Sequence, residues 1–128
     1  MIEVNSNSSV PIYEQIQAGI KELILKNGIR EEEKLPSVRE LAYKLTINPN
    51  TITKAYNQLE NDDIISTIKG KGTFVRKGAK NSIKKDELIQ LKEDIRKVIV
   101  DSIKLDLALE VIIEIERNFY RELGRKDK

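Results

Sequence analysis

LPSVRELAYKLTINPNTITKAYNQLENDDIISTIKGKGTFV, residues 35–75, is the stretch whose reading decides the fold. Ser37 with Glu40 fits a capping box, in which the serine oxygen takes an N–H of the first turn and the glutamate returns to the cap. The helix it opens runs from Val38 to about Leu45, burying Val38, Leu41, Ala42 and Leu45 and exposing Arg39 and Lys44. Asn48-Pro49 then opens another helix, Asn being a strong N-cap and Pro a favoured first helical residue. Its apolar stripe is Ile52, Ala55, Tyr56 and Leu59, the spacing of a core-facing face. The opposite face carries Asn50, Thr51, Thr53, Lys54 and Asn57, with no acid before Glu60. Ile64 to Ile68 reads as a strand, Lys69-Gly70-Lys71-Gly72 as a turn and Thr73 to Val75 as the return strand. Two short helices joined by a tight turn, the second with a polar leading end, predict a helix-turn-helix, and the hairpin adds a wing.

Working outward, residues 1–10 are polar and predicted to be extended or loose. Ile12, Ile16, Ile20, Leu23 and Ile24 predict a packing helix that starts near Pro11 and stops at Gly28. Residues 29–36 read as a polar loop. On the other side, Gly78-Ala79-Lys80-Asn81-Ser82 reads as a hinge, dividing residues 1–77 from 78–128. Beyond it, Leu88, Leu91, Ile95, Val98, Ser102 and Leu105 form one apolar seam, widened by Ile89, Ile99 and Ile103. Leu109, Ile112, Ile113, Ile115, Phe119, Tyr120 and Leu123 form a second pattern that ends at Gly124. Two such helices cannot enclose a core alone, so their apolar residues are expected to pair with a second copy of the chain. The overall class is mostly α with a small β-hairpin: a winged helix-turn-helix followed by a helical hairpin for dimerisation.

Composition narrows the chemistry. Among 128 residues there is no Cys and no His, which excludes disulfides, zinc-thiolate sites, thiol catalysis and an imidazole base. No paired carboxylates stand in an apolar setting, and the Lys69–Gly72 turn leads into a strand, where a nucleotide-cradling loop needs a helix. No enzyme activity, cofactor or metal is expected. Glu31, Glu32 and Glu33 read as solvated acids. The N-terminal residues lack a basic segment followed by an apolar run and no stretch is long and apolar enough to span a membrane, so no signal peptide or span is expected and the cytoplasm is the expected compartment. Net charge is only +2, yet Lys69, Lys71, Arg76, Lys77, Lys80, Lys84 and Lys85 fall between Ile64 and Lys85 with no acid among them. That local excess points to an anionic partner, although Lys80, Lys84 and Lys85 read first as a solvated linker face.

The residues Leu35 to Ala42, Asn48 to Glu60 and Gly70 to Val75, with Pro11 to Ile16 upstream, resemble the winged helix-turn-helix of GntR-family bacterial transcription regulators. The short two-helix segment after them resembles the YtrA-type subfamily. There the resemblance implies a dimerisation unit and no large effector domain. Thr46 stands where the inter-helix turn usually has Gly, and a β-branched residue tolerates positive φ poorly, so a differently built turn is expected. Asp63 replaces a frequent Gly. Asp106 and Ala108 replace a Gly and a Ser cap, which leaves open either a turn or a kink between the last two helices.

The expected function is therefore that of a homodimeric, sequence-specific regulator of transcription, a repressor by preference, reading an inverted repeat in double-stranded DNA. Asn50, Thr51 and Thr53 are short polar side chains able to reach base edges, and Asn48 at the cap beside them is a further candidate DNA contact. Arg39 can pair with guanine or phosphate, and in resembling proteins this position contacts DNA. Lys54 and Tyr56 are candidate backbone contacts, although Tyr56 also lies on the core stripe. Ser37 is first a cap and then a candidate phosphate contact. Lys69, Gly70 and Lys71 could enter a minor groove from the wing tip. The expected dimer face comprises Leu88, Leu91, Ile95, Val98, Ile99, Leu105, Leu109, Ile112, Ile113, Phe119 and Tyr120. A small-molecule effector, if the protein takes one, would have to sit at the dimer interface or between the domains. The alternative reading is a winged-helix protein-interaction module that ignores DNA.

Overall fold

The computed structural model describes residues 2–124. Five helices and one hairpin follow in the order α1 (Ile12–Leu25), α2 (Val38–Leu45), α3 (Pro49–Asn61), β1 (Ile65–Ile68), β2 (Gly72–Val75), α4 (Ala79–Lys104) and α5 (Leu109–Glu122). The chain divides into two compact units between Glu87 and Leu88. No helix among the described residues is long and apolar enough to cross a membrane.

The first unit is built around the stripes that period and capping predict. Ile16, Ile20 and Ile24 of α1 meet Leu41 and Ala42 of α2 and Ile52, Ala55, Tyr56 and Leu59 of α3 in one core. Leu35, Ile64, Ile65 and Val75 close it from the hairpin side. Each fully buried Ile or Leu stabilises the unit by about 1.5–3 kcal/mol. The hairpin pairs Ile65 with Val75, Ser66 with Phe74, Thr67 with Thr73 and Ile68 with Gly72.

Residues 29–36 are more than a loop. The Glu32 N–H donates to the Val75 carbonyl at 2.7 Å, Val75 returns a bond to the Glu33 carbonyl at 3.0 Å, and the Leu35 N–H donates to the Thr73 carbonyl at 2.8 Å. This run lies along the free edge of β2 and satisfies backbone groups that would otherwise face solvent. The N-terminal residues are likewise tied down. Gln15 accepts from the Asn5 N–H at 2.8 Å and donates to the Asn5 and Val10 carbonyls at 2.9 and 2.8 Å, while Ile2 and Val4 pack on the core.

The helix ends share one device. After α1, α2, α3 and α4 comes a residue in the left-handed conformation: Asn27 (φ 63), Thr46 (φ 55), Asp63 (φ 60) and Asp106 (φ 58). In each case the following N–H reaches five residues back, Gly28 to Leu23, Ile47 to Ala42, Ile64 to Leu59 and Leu107 to Ser102, as a Schellman motif requires. The stop after α1 is thus Asn27, with Gly28 second. Thr46 adopts the positive φ that its β-branch disfavours, so the turn keeps its usual construction. The break between α4 and α5 is a turn, and Ala108 caps α5 without a side-chain bond.

The predicted hinge is also absent. Gly78 turns the chain at φ +87, and α4 begins at once. Ala79 and Ile83 are fully buried in the core of the first unit, which fixes the first turns of α4 to it. Glu31 accepts from the Lys80 N–H at 3.1 Å, and Lys80 Nζ donates to Asn27 Oδ1 at 3.0 Å. The Glu31 carboxyl, expected to be merely solvated, is held below the usual carboxylate range, first by the Gly78 N–H and then by that of Lys80. It serves as an N-terminal cap supplied from a distant loop.

The second unit holds the rest of α4, and α5. Among its described residues only Ser102 and Ile112 are buried, with Ser102 Oγ donating to the Val98 carbonyl at 2.8 Å. Ile99 is half-buried. Leu88, Leu91, Ile95, Val98, Leu105, Leu109, Ile113, Phe119 and Tyr120 are all exposed in the single chain.

Candidate nucleic-acid interface

Two caps set the helix-turn-helix. Ser37 Oγ accepts from the Glu40 N–H at 3.1 Å, and Glu40 accepts from the Ser37 N–H at 3.1 Å, completing the capping box. That N–H bond is the first cause of the Glu40 carboxyl lying below its usual range. At the start of α3, Asn48 Oδ1 accepts from the Asn50 N–H at 2.9 Å, with Pro49 as first helical residue. Asn48 and Ser37 are thus occupied as caps, although both remain exposed.

The leading face of α3 is open. Asn50, Thr53, Lys54 and Asn57 are exposed and Thr51 is half-buried. Lys54 Nζ sits 3.9 Å from the centroid of the Tyr13 ring on α1. Glu60, the first acid on this helix, is bound by the wing: its Oε2 accepts from the Thr67 N–H at 2.8 Å. The same bond docks β1 against the end of α3.

Tyr56 departs from the expected set. Its side chain is buried and its hydroxyl donates to the Pro36 carbonyl at 2.7 Å. Burial, and secondarily the Glu40 carboxylate, push the phenol up to about 12. It holds α3 to the segment that enters α2, and it is not presented to solvent as a phosphate contact.

Arg39 projects from α2 into solvent. On the wing, Lys69, Gly70 and Lys71 are all exposed, and the Lys71 N–H closes the turn on the Ile68 carbonyl at 2.9 Å. Gly70 lies at φ +79 with no atom within 4 Å of where a Cβ would be, so its backbone can be approached closely. Arg76 and Asp63 pair at 3.4 Å, but both are largely in water, where such a pair contributes little. The first unit therefore gathers Arg39, Asn50, Thr51, Thr53, Lys54, Lys69 and Lys71 on its surface. No group of acids suited to a metal ion is found among the described residues.

One contributor escaped sequence reasoning. Tyr13 sits in the first turn of α1, where it reads as part of a packing helix, yet it meets Lys54 of α3. An aromatic residue just after a helix start was its only local signal.

The profile of the gntR family of bacterial regulatory proteins matches residues 12–75. The chain is 42% identical over 114 residues to the HTH-type transcriptional repressor YtrA of Bacillus subtilis (strain 168), covering 89% of this chain and 88% of that one. A transcriptional regulator from Oenococcus oeni has a similar structure, with TM-score 0.77 and 35% identity over 93% of this chain and 98% of that one. AraR(DBD) in complex with operator ORX1 is similar over 58% of this chain and 95% of that one, at 28% identity and TM-score 0.53. The chain belongs to the GntR family, on the YtrA-type plan of a winged helix-turn-helix followed by two helices, and is a DNA-binding regulator of transcription and not an enzyme.

Proposed function

We propose that the protein acts in the cytoplasm as a homodimeric repressor that reads an inverted-repeat operator in double-stranded DNA. The observation that carries the dimer is the apolar surface of the second unit. Leu88, Leu91, Ile95 and Val98 point one way from α4, with Leu105 just past its end, and Ile89, Val100 and Ile103 another, all of them exposed in the single chain. At 3.6 residues per turn the positions on α4 span an arc of about 200°. An arc that wide needs cover on two sides, and two copies of α4 and α5 can supply it as a four-helix assembly. Leaving these side chains wet forgoes about 1.5–3 kcal/mol each.

A twofold pair of reading heads fits a palindromic target, with half-sites about one helical turn apart or closer. Asn50, Thr51 and Thr53 would read base edges in the major groove. Arg39 would take guanine or phosphate, Ser37 and Lys54 phosphate, and Lys69, Gly70 and Lys71 the minor groove. Asn48 would act through the cap that orients Asn50. Repression follows the likeness to YtrA, since a bound operator blocks access to the same DNA.

Selection of bound sequences from random duplexes, followed by sedimentation of the complex, tests this reading. An inverted repeat bound by two chains, lost in Arg39→Ala and Asn50→Ala, is expected. Recovery of a single half-site by one chain would overturn it. The logarithm of affinity should also fall steeply with that of salt, at a slope of about −0.9 per phosphate neutralised.

A further inference from the structure

Tyr43 is 88% exposed, although Leu41 and Ala42 beside it in sequence line the core. It stands on α2 one helical turn after Arg39, on the side facing away from Leu41 and Ala42, which are buried. Its hydroxyl has no partner among the described residues. A tyrosine in water gains nothing for the fold: its ring is wet, it caps nothing, and a smaller polar residue would suit α2 equally well. Its neighbours on that side are charged, Arg39 and Lys44 positive and Glu40 turned back to Ser37.

In a helix-turn-helix the first of the two helices crosses the sugar-phosphate backbone while the second enters the groove. Tyrosine hydroxyls are among the groups that donate to phosphate oxygens and so fix the register of the protein on DNA. Arg39 and Tyr43 are separated by about 6 Å along the helix axis. Side chains so placed can touch neighbouring phosphates of one strand. We propose that Tyr43 is a further DNA-contacting residue, donating its hydroxyl proton to a backbone phosphate beside the one reached from Arg39, and that it anchors α2 without reading sequence. This rests on the docking mode proposed above.

The contact has a signature that a cation lacks. A neutral hydroxyl displaces no counterion, so its loss lowers affinity without changing the salt slope, whereas losing a Lys or Arg contact lessens that slope by about 0.9. The full-length protein and its Tyr43→Phe, Tyr43→Ala and Arg39→Ala variants would be titrated against the duplex recovered by selection and against a scrambled duplex of the same length. Tyr43→Phe should weaken binding to both duplexes by about threefold to tenfold for each reading head engaged, at unchanged salt slope. Tyr43→Ala should match or exceed that loss, and thermal unfolding of both variants should equal that of the parent. Wild-type affinity for Tyr43→Phe would overturn the proposal while leaving the docking mode standing. A loss confined to the selected duplex would also overturn it, since that marks base reading. If the parent protein itself shows no salt-dependent binding to either duplex, the docking mode fails first and the anchor with it.

Discussion

Lys54 on α3 lies over the face of Tyr13 on α1, its ammonium 3.9 Å from the ring centroid. Tyr13 in turn donates its hydroxyl to Glu14 Oε1 at 3.2 Å, which raises its own pKa. A ring of negative face density beneath a cation restrains a long, mobile side chain. α1 thereby does more than pack: it restrains a cation on the α3 face proposed to meet DNA. Replacing Tyr13 with Phe keeps the face and should leave DNA affinity unchanged. Replacing it with Leu frees Lys54 and should weaken binding about twofold to fivefold in a fluorescence-anisotropy titration. Equal affinity for both variants would show that the stacking of Lys54 on Tyr13 has no part in binding.

The left-handed Thr46 predicts a stabilising substitution. The left-handed region costs a non-glycine residue about 1–2 kcal/mol, whereas glycine enters it freely and instead loses about 0.5–1 kcal/mol through the unfolded chain. Thr46 is exposed and its side chain bonds to nothing that the turn needs. Thr46→Gly should therefore stabilise the protein by about 0.5–1 kcal/mol, raising Tm by a few degrees, with DNA affinity unchanged. A lower Tm would mean that the turn is relaxed around threonine.

Much of the first unit was legible because its signals are local. The Ser37-Glu40 box, the Asn48-Pro49 start and the Ile52-to-Leu59 stripe each declare themselves within one or two turns. What escaped the sequence is made by distant partners. Glu31 caps a helix that starts 48 residues later, and nothing around Glu31-Glu32-Glu33 announces it. The pairing of residues 32–35 with β2 is likewise a long-range backbone contact made by a segment with no strand pattern. Gly-Ala-Lys-Asn-Ser looks polar and so reads as a hinge, although Ala79 and Ile83 already stand one helical turn apart. Tyr56 shows the limit on the site side. Periodicity placed it on the core stripe, but only the structure reveals that Pro36, 20 residues away, takes its hydroxyl.

Tyr56→Phe separates these two roles. Removing the hydroxyl leaves the Pro36 carbonyl without its donor and should cost about 0.5–1.5 kcal/mol in urea unfolding. Because the folded phenol is raised to about 12, its contribution is complete below its unfolded value near 10 and is lost as pH rises through the folded one. The stability gap between parent and variant should thus narrow above about pH 10. DNA affinity at neutral pH should be the same for both. A clear drop for the variant would return Tyr56 to the phosphate-contacting set.

Glu31 gives the opposite pH dependence. Its folded carboxyl is depressed, so its cap stabilises the protein above the ordinary carboxylate value of 4.5 and weakens as pH falls below it. Glu31→Gln should lower the urea midpoint at neutral pH, and the difference from the parent should shrink in acid. A difference independent of pH would assign the effect to packing and not to the charge on the cap.

The dimer face can be tested without touching the reading head. Ile95 lies in the second unit, exposed in the single chain, so a charge there meets water unless a partner covers it. If two copies cover it, Ile95→Asp buries an unpaired carboxylate in the interface and should weaken association by about 2–5 kcal/mol. Sedimentation should then show a monomer at concentrations where the parent is a dimer. Unfolding of the first unit should be unaltered, because its core closes without any residue of the second. Affinity for an inverted repeat should collapse toward that for a half-site, since the two heads would no longer be held at one effective concentration. A variant that stays dimeric and binds the repeat normally would place the interface elsewhere, and the exposed arc of α4 would then need a different partner.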